Sequence, residues 1–205
     1  MIFGGASSVG QIGKLSLTPP IHIGSILILP LTAIQLAKLS GFSPIITTAS
    51  LKNAPAIKAL GADLILSRDL TSAQILAEVS QATSEPITSV FDSISYPTTQ
   101  KLGAELLAPG GTIGTVLAPI LSPSELEGGK KAVHILGAPR APHNVELVDS
   151  LYHDHLEGWL ERGVLNPNNV EVLPGGLEGV QAGFDRLEKG DVSMSKLVVR
   201  PQETA

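Results

Sequence analysis

The chain has 205 residues, of which 43% are hydrophobic and 16% charged, with a formal net charge of -5. That length and balance describe a globular chain with one good core or one domain plus a fragment, and the mild acidity argues against a nucleic-acid footprint. Zero Cys excludes disulfides, thiolate zinc sites and a Cys nucleophile, and fits a reducing, cytoplasmic setting.

At the start, Ile2 and Phe3 run into the small-residue turn Gly4-Gly5-Ala6-Ser7-Ser8-Val9-Gly10. A strand feeding such a turn resembles the phosphate-binding turn of a dinucleotide fold, where backbone N–H groups at a helix N-terminus meet a pyrophosphate. Gly5-x-Ser7-x-x-Gly10 keeps the first and third glycines of G-x-G-x-x-G and has Ser at the second. A small-residue turn between a strand and a helix also occurs without any nucleotide, so the motif alone is weak. No basic region precedes an early apolar run, so no secretory signal is expected. The apolar stretch from Ile21 to Leu31 is interrupted by His22, Gly24, Ser25 and Pro30 and is too short to span a bilayer.

The crossover helix due after Gly10 is broken by Pro19, Pro20, Gly24 and Pro30, since proline removes a helix donor and clashes with the preceding turn. With residues 13–32 removed, Val9, Ile12, Ala33, Leu36 and Ala37 fall at helical spacing on one face, and Gly41 supplies a stop. The same removal brings Ser50 from 40 to 20 positions past Gly10, the usual distance of a ribose-reading residue. Residues 13–32 therefore read as a translated intron, because Gly13-Lys14 can be encoded with a splice-donor sequence and Thr32-Ala33 with an acceptor. A genuine surface insertion is the alternative, since long loops cost little closure entropy.

Strands and helices then alternate. Strands are expected at 44–48, 63–66, 88–92, 111–117 and 132–136, and helices at 53–60, 72–82 and 98–107. Helices of about ten residues between apolar strands imply βαβ units and a parallel sheet buried on both faces. The expected fold class is a doubly wound α/β sheet over residues 1–142. From 143 onward come a helix (147–162), a strand (170–173), a helix (177–188) and a final strand (196–200). His153-Asp154-His155 lies in a helix, where i and i+2 face different ways, so it reads as a solvated face rather than a ligand pair; no metal site is expected. No hydrolase constellation is legible, and catalytic residues stay unassigned.

With the helix repaired, Phe3 to Gly10, residues 33–38, Gly61-Ala62-Asp63, residues 90–95 and Pro109-Gly110-Gly111 resemble medium-chain dehydrogenase/reductases. The nearest subgroup is the zinc-independent, enoyl-reductase-like one, similar to fungal trans-acting enoyl reductases and quinone oxidoreductases; residues 173–180 and 192–200 are similar to its C-terminal end. The resemblance implies a Rossmann domain over residues 1–142. Residues 143–205 would be a C-terminal fragment returning to a GroES-like catalytic domain that precedes the chain's Met1 and is absent. It also implies a small-molecule substrate, a polyketide synthase partner, a monomer or homodimer, and an isolated chain that binds cofactor without turnover. The orphaned C-terminal segment should expose apolar surface.

An NAD-preferring fold places a carboxylate after the second strand, whereas a 2′-phosphate needs donors and positive charge. After Thr47-Thr48 comes Ala49-Ser50-Leu51-Lys52-Asn53, with no acid and one Lys, which favours NADP. By resemblance Ser50, Lys52 and Asn53 surround that phosphate, and Gly5, Ser7, Ser8, Val9 and Gly10 form the pyrophosphate turn; Arg68 stands where the subgroup often has Tyr, and its guanidinium can serve as a bidentate phosphate partner. Lys52 also reads as a solvated helix-start lysine, and Arg68 as a solvent-facing residue. By the same resemblance Ser93, Ile94, Val116 and Leu117 line the nicotinamide cleft, and Lys196 matches a tail lysine of the family. Asp92, at the strand end before them, reads equally as a cap or as part of the site.

Overall fold

The computed structural model describes residues 1–3, 30–135, 138, 140–142 and 144–204. It divides into two compact units, Met1–Asn166 and Pro167–Ala205, each taken by itself below.

The larger unit is built on six strands: β1 (Ile2–Phe3), β2 (Ile46–Ala49), β3 (Leu64–Ser67), β4 (Ser89–Asp92), β5 (Thr112–Thr115) and β6 (Lys131–His134). All pair in parallel, in the order β3-β2-β1-β4-β5-β6. Parallel strands are joined only by crossovers, and these cover both faces, so the strands read as apolar or β-branched runs. Ile46-Thr47-Thr48-Ala49 is buried along its whole length, and Ile113 and Thr115 are fully buried in β5. The crossovers are α1 (Pro30–Leu39), α2 (Ala54–Ala59), α3 (Ser72–Ala82) and α4 (Pro97–Leu106). Met1, Ile46, Leu66, Ile75, Val79, Val90, Leu102, Leu107 and Ile113 form one core cluster.

Helix starts follow local chemistry. Thr71 Oγ1 accepts the Gln74 amide at 3.3 Å while Gln74 Oε1 accepts the Thr71 amide at 2.9 Å, a reciprocal cap that sets the first turn of α3. α1 starts at Pro30, three residues before the helix restart expected at Ala33. Proline suits a first helical position because its fixed φ is helical and its missing N–H has no partner there. The remainder of the expected insertion, 13–29, lies outside the described residues, as do Val9 and Ile12. Ala33, Ile34, Leu36 and Ala37 are buried, and α1 ends where Gly41 turns with φ 79° and the Phe42 amide reaches back to the Ala37 carbonyl. Gln35, also buried in α1, exchanges hydrogen bonds with the Asn166 backbone at 3.1 and 2.7 Å.

After β6 the chain forms α5 (Val145–Asp149), a π-helical stretch (Ser150–Leu156) and α6 (Glu157–Glu161), a helical run over 145–161. The wider π winding still lets His155 stack on Trp159, with ring centroids 5.1 Å apart and planes 10° from parallel.

The smaller unit is one βαβ module: β7 (Asn169–Leu173), α7 (Gly179–Glu188) and β8 (Ser195–Val199), with β7 and β8 parallel. A side chain at Gly183 would meet Leu173 Cδ1 at 2.7 Å, so α7 lies close on the Leu173/Leu197 face. Arg186 of α7 forks onto the Glu171 carboxylate, which lowers the Glu171 pKa. By alternation Val170, Val172 and Val198 share the opposite face, where all three are exposed.

Replacing Ile113 with Ala should cost about 3 kcal/mol, because it opens a cavity in a site with no exposure. Chemical unfolding should show this as a lower midpoint at unchanged slope.

Candidate functional site

In the larger unit the chain runs β1, β2, β3 to one side and then returns to place β4 on the other side of β1. Open α/β sheets bind ligands in the crevice outside the carboxyl ends of the strands at that reversal. Gly5, Ser7, Ser8, Val9 and Gly10, expected to line the first turn there, lie outside the described residues. What is described is the rest of that edge: the segments after β2, β3, β4 and β5.

After β2 and β3 the geometry is set by register. Ala49 pairs with Ser67, and the Arg68 amide donates to the Ala49 carbonyl at 3.0 Å, so Ser50 and Arg68 leave the sheet side by side. Ser50 is extended (φ -67°, ψ 126°), and Leu51–Asn53 close a 3₁₀ turn in which the Asn53 amide donates to the Ser50 carbonyl at 2.9 Å. Lys52 is exposed, and Ser50 and Asn53 are half-buried. Arg68 is also exposed and lies 4.0 Å from Asp69, an ion pair too wet to fix the guanidinium. The structure thus brings Ser50, Lys52, Asn53 and Arg68 onto two neighbouring loops. A hydroxyl, an ammonium and a guanidinium so placed can receive an anionic group, with Arg able to do so bidentately.

After β4 and β5 a buried network takes over. Asp92 has no exposure; its Oδ1 accepts the amides of Ile94 (3.0 Å) and Ser95 (2.8 Å), and its Oδ2 accepts the Thr99 hydroxyl (2.7 Å). The Ser95 hydroxyl donates to the Asp92 carbonyl (2.7 Å) and accepts the Val116 amide (2.8 Å). Ser95 holds φ 57°, which lets the chain double back at the strand end. Burial pushes the Asp92 pKa up, and the three hydrogen bonds pull against that push. Both Asp92 oxygens are spent on the turn, which makes it a strand-end cap.

Ser93 and Val116 are buried, Ile94 is half-buried and Leu117 is exposed, on the loops that follow adjacent strands. Sequence reasoning missed Ser95, Thr99 and Gln100. An Asp at a strand end, then Ser three residues on and Pro97 opening a helix, is a local signal for such a turn. Gln100 has no local signal, because two of its partners lie 18 and 20 residues away.

Lys196 stands on β8 in the smaller unit, exposed and opposite Val170. Among the described residues no group of three or more His, Cys, Asp or Glu could hold a metal ion. Nor is any described helix long and apolar enough to cross a membrane.

A family model described as zinc-binding dehydrogenase matches residues 29–139, more than half of the chain. A zinc-type alcohol dehydrogenase-like protein of Schizosaccharomyces pombe is 26% identical over 214 residues, covering 98% of this chain and 55% of its own length. The trans-enoyl reductase himH of Aspergillus japonicus is 29% identical over 202 residues, covering 97% of this chain and 51% of its own. The chain thus spans about half the length of the curated relatives it matches. A zinc-dependent alcohol dehydrogenase protein from Rhizobium etli has the same fold, with TM-score 0.73 at 19% identity over 97% of this chain and 53% of that one.

Asp92→Ala should cost about 2–4 kcal/mol, since it strands the buried amides of Ile94 and Ser95. Asp92→Asn should fold with near-native stability at neutral pH. Its oxygen keeps the amides, and its NH₂ donates to Thr99 Oγ1, whose hydrogen turns to the Tyr96 carbonyl 3.0 Å away. The folded pKa of Asp92 lies above its ordinary 3.8, so the carboxyl's contribution is greatest below that value and declines as pH rises through the folded pKa. Urea unfolding across that acid range should show Asp92→Asn gaining on the wild type with rising pH, then a constant difference.

Proposed function

Because the chain belongs to the zinc-binding dehydrogenase family, we propose that it is the NADPH-binding part of an oxidoreductase. Its reaction is hydride transfer to an enoyl or other carbonyl-conjugated small molecule. The observation that carries the cofactor choice is the carboxyl edge of β2 and β3. Ser50, Lys52 and Asn53 follow β2 with no acid among residues 50–53, and Arg68 leaves β3 beside them. A fold that selects NAD sets a carboxylate after the second strand to take the ribose 2′-hydroxyl; hydroxyl, ammonium and guanidinium suit a 2′-phosphate.

In this reading Gly5, Ser7, Ser8, Val9 and Gly10 take the pyrophosphate, and Ser50, Lys52, Asn53 and Arg68 take the 2′-phosphate. Ser93, Ile94, Val116 and Leu117 seat the nicotinamide, Lys196 is assigned as the tail lysine of the family, and the C-terminal domain is set at 143–205. When bound, the cofactor supplies the hydride, and the protein supplies binding, orientation and electrostatics. The enoyl class follows from the trans-enoyl reductase of Aspergillus japonicus among the relatives. Zinc-independent chemistry, a cytoplasmic setting, a monomer or homodimer and a polyketide synthase partner complete the proposal. The second reading is a nucleotide-binding module without turnover.

A fluorescence titration with NADPH and NADH tests the first reading. Lys52→Ala and Arg68→Ala should each weaken NADPH about tenfold and leave NADH within about twofold. NADH binding as tightly as NADPH to the wild type would sink the 2′-phosphate assignment. NADPH oxidation by the 205-residue chain with an enoyl thioester would remove the second reading.

A further inference from the structure

We propose that Gln100 is a positioning residue for the nicotinamide half of the site, acting by fixing the loop that follows β5. The inference rests on the NADPH reading above. Gln100 lies in the first turn of α4 with 1% exposure, where a polar side chain must find partners or destabilise the fold. Its Nε2 donates to the Ser95 carbonyl (3.0 Å) and the Ala118 carbonyl (3.3 Å), and its Oε1 accepts the Ile120 amide (2.9 Å). The orientation of the amide is unambiguous, because turning it over would set oxygen against two carbonyls and NH₂ against an N–H.

These bonds span two loops that leave adjacent strands. On one side is the turn after β4, anchored by Asp92; on the other are residues 116–120 after β5. The second loop is held along its length. The Val116 amide goes to Ser95 Oγ, the Leu117 carbonyl to the Thr115 hydroxyl (2.7 Å), and the Ala118 carbonyl and Ile120 amide to Gln100. With its backbone pinned from the α4 side, the loop leaves Leu117 and Ile120 exposed at 52% and 55%. A loop so fixed presents one shape to a ligand and has little ordering left to lose on binding. Both donors of Gln100 are spent on this loop pair. Its loss therefore leaves the register that sets Ser50 beside Arg68 in place.

The test separates the two halves of the cofactor. NADPH spans both; adenosine 2′,5′-bisphosphate reaches only the phosphate half. Gln100→Met, similar in size but without the hydrogen bonds, should weaken NADPH about tenfold and leave adenosine 2′,5′-bisphosphate within about twofold. Gln100→Asn, which keeps a neutral amide but is one methylene too short to hold both loops, should show the same split and carries the test if the Met variant does not fold. A residue that only stabilises the fold would lower the melting temperature and leave the ratio of the two affinities unchanged. That result, or equal loss of both ligands, overturns the proposal. A wild-type chain that binds neither ligand would instead overturn the functional reading beneath it.

Discussion

All six strands of the larger unit run the same way, and this constraint governs the rest of its structure. Parallel pairing brings every carboxyl end out at one edge and forces a crossover between each pair of neighbours in sequence. The crossovers bury both faces of the inner strands, so β2 and β5 hold Ile, Thr, Ala and Gly, and β4 admits a carboxyl, Asp92, only at its end. Polar chemistry is pushed to the ends. At the carboxyl edge the strand-end residues must satisfy their own backbone while leaving side chains for a ligand. After β2 and β3 that balance favours exposed cations. After β4 and β5 it favours a buried scaffold in which Asp92, Ser95 and Gln100 consume one another's hydrogen bonds.

The two ends of this edge therefore differ in kind. Lys52 and Arg68 are solvated, and their contribution depends on a ligand to organise them. The segment 116–120 is organised in advance by buried groups that need no ligand contact themselves. On the reading proposed above, such a division of labour between adaptable charged contacts and a rigid floor would suit a ligand with an anionic end and a flat ring.

Most of the fold is legible in the sequence because it depends on periodicity. Ser72 to Ala82 carries Ile75 and Val79 one turn apart behind a Thr–Gln cap, and the helix occupies those residues. The strands are short β-branched runs between Gly, Pro and Asp, and they lie within two residues of their expected starts. The placement of Ser50, Lys52 and Arg68 just past β2 and β3 is legible for a similar reason: which residues follow a strand is sequence information. The β4–β5 end is not, since Gln100 acts through partners brought near only by the sheet register. A buried glutamine on a helix looks, in one dimension, like any polar residue. The start of α1 at Pro30 was also hidden, because a proline closing an irregular stretch and one opening a helix look alike.

The place of β1 at the centre of the sheet has a kinetic side. Its two residues pair with Thr47 of β2 and with Phe91 and Asp92 of β4, and the Met1 amino group donates to the Ser89 carbonyl at 2.8 Å across 88 positions of sequence. Loop closure on that scale costs entropy before any contact returns it, so pairings of this kind form slowly. β2–β3 and β4–β5 each close through one short helix and can form early. Until β1 enters between them, each pair presents a bare inner strand edge, open to the edges of other molecules. The centre of the finished sheet is thus closed by the strand pairing with the longest sequence separation in it, that of Ile2 and Phe3 with Phe91 and Asp92.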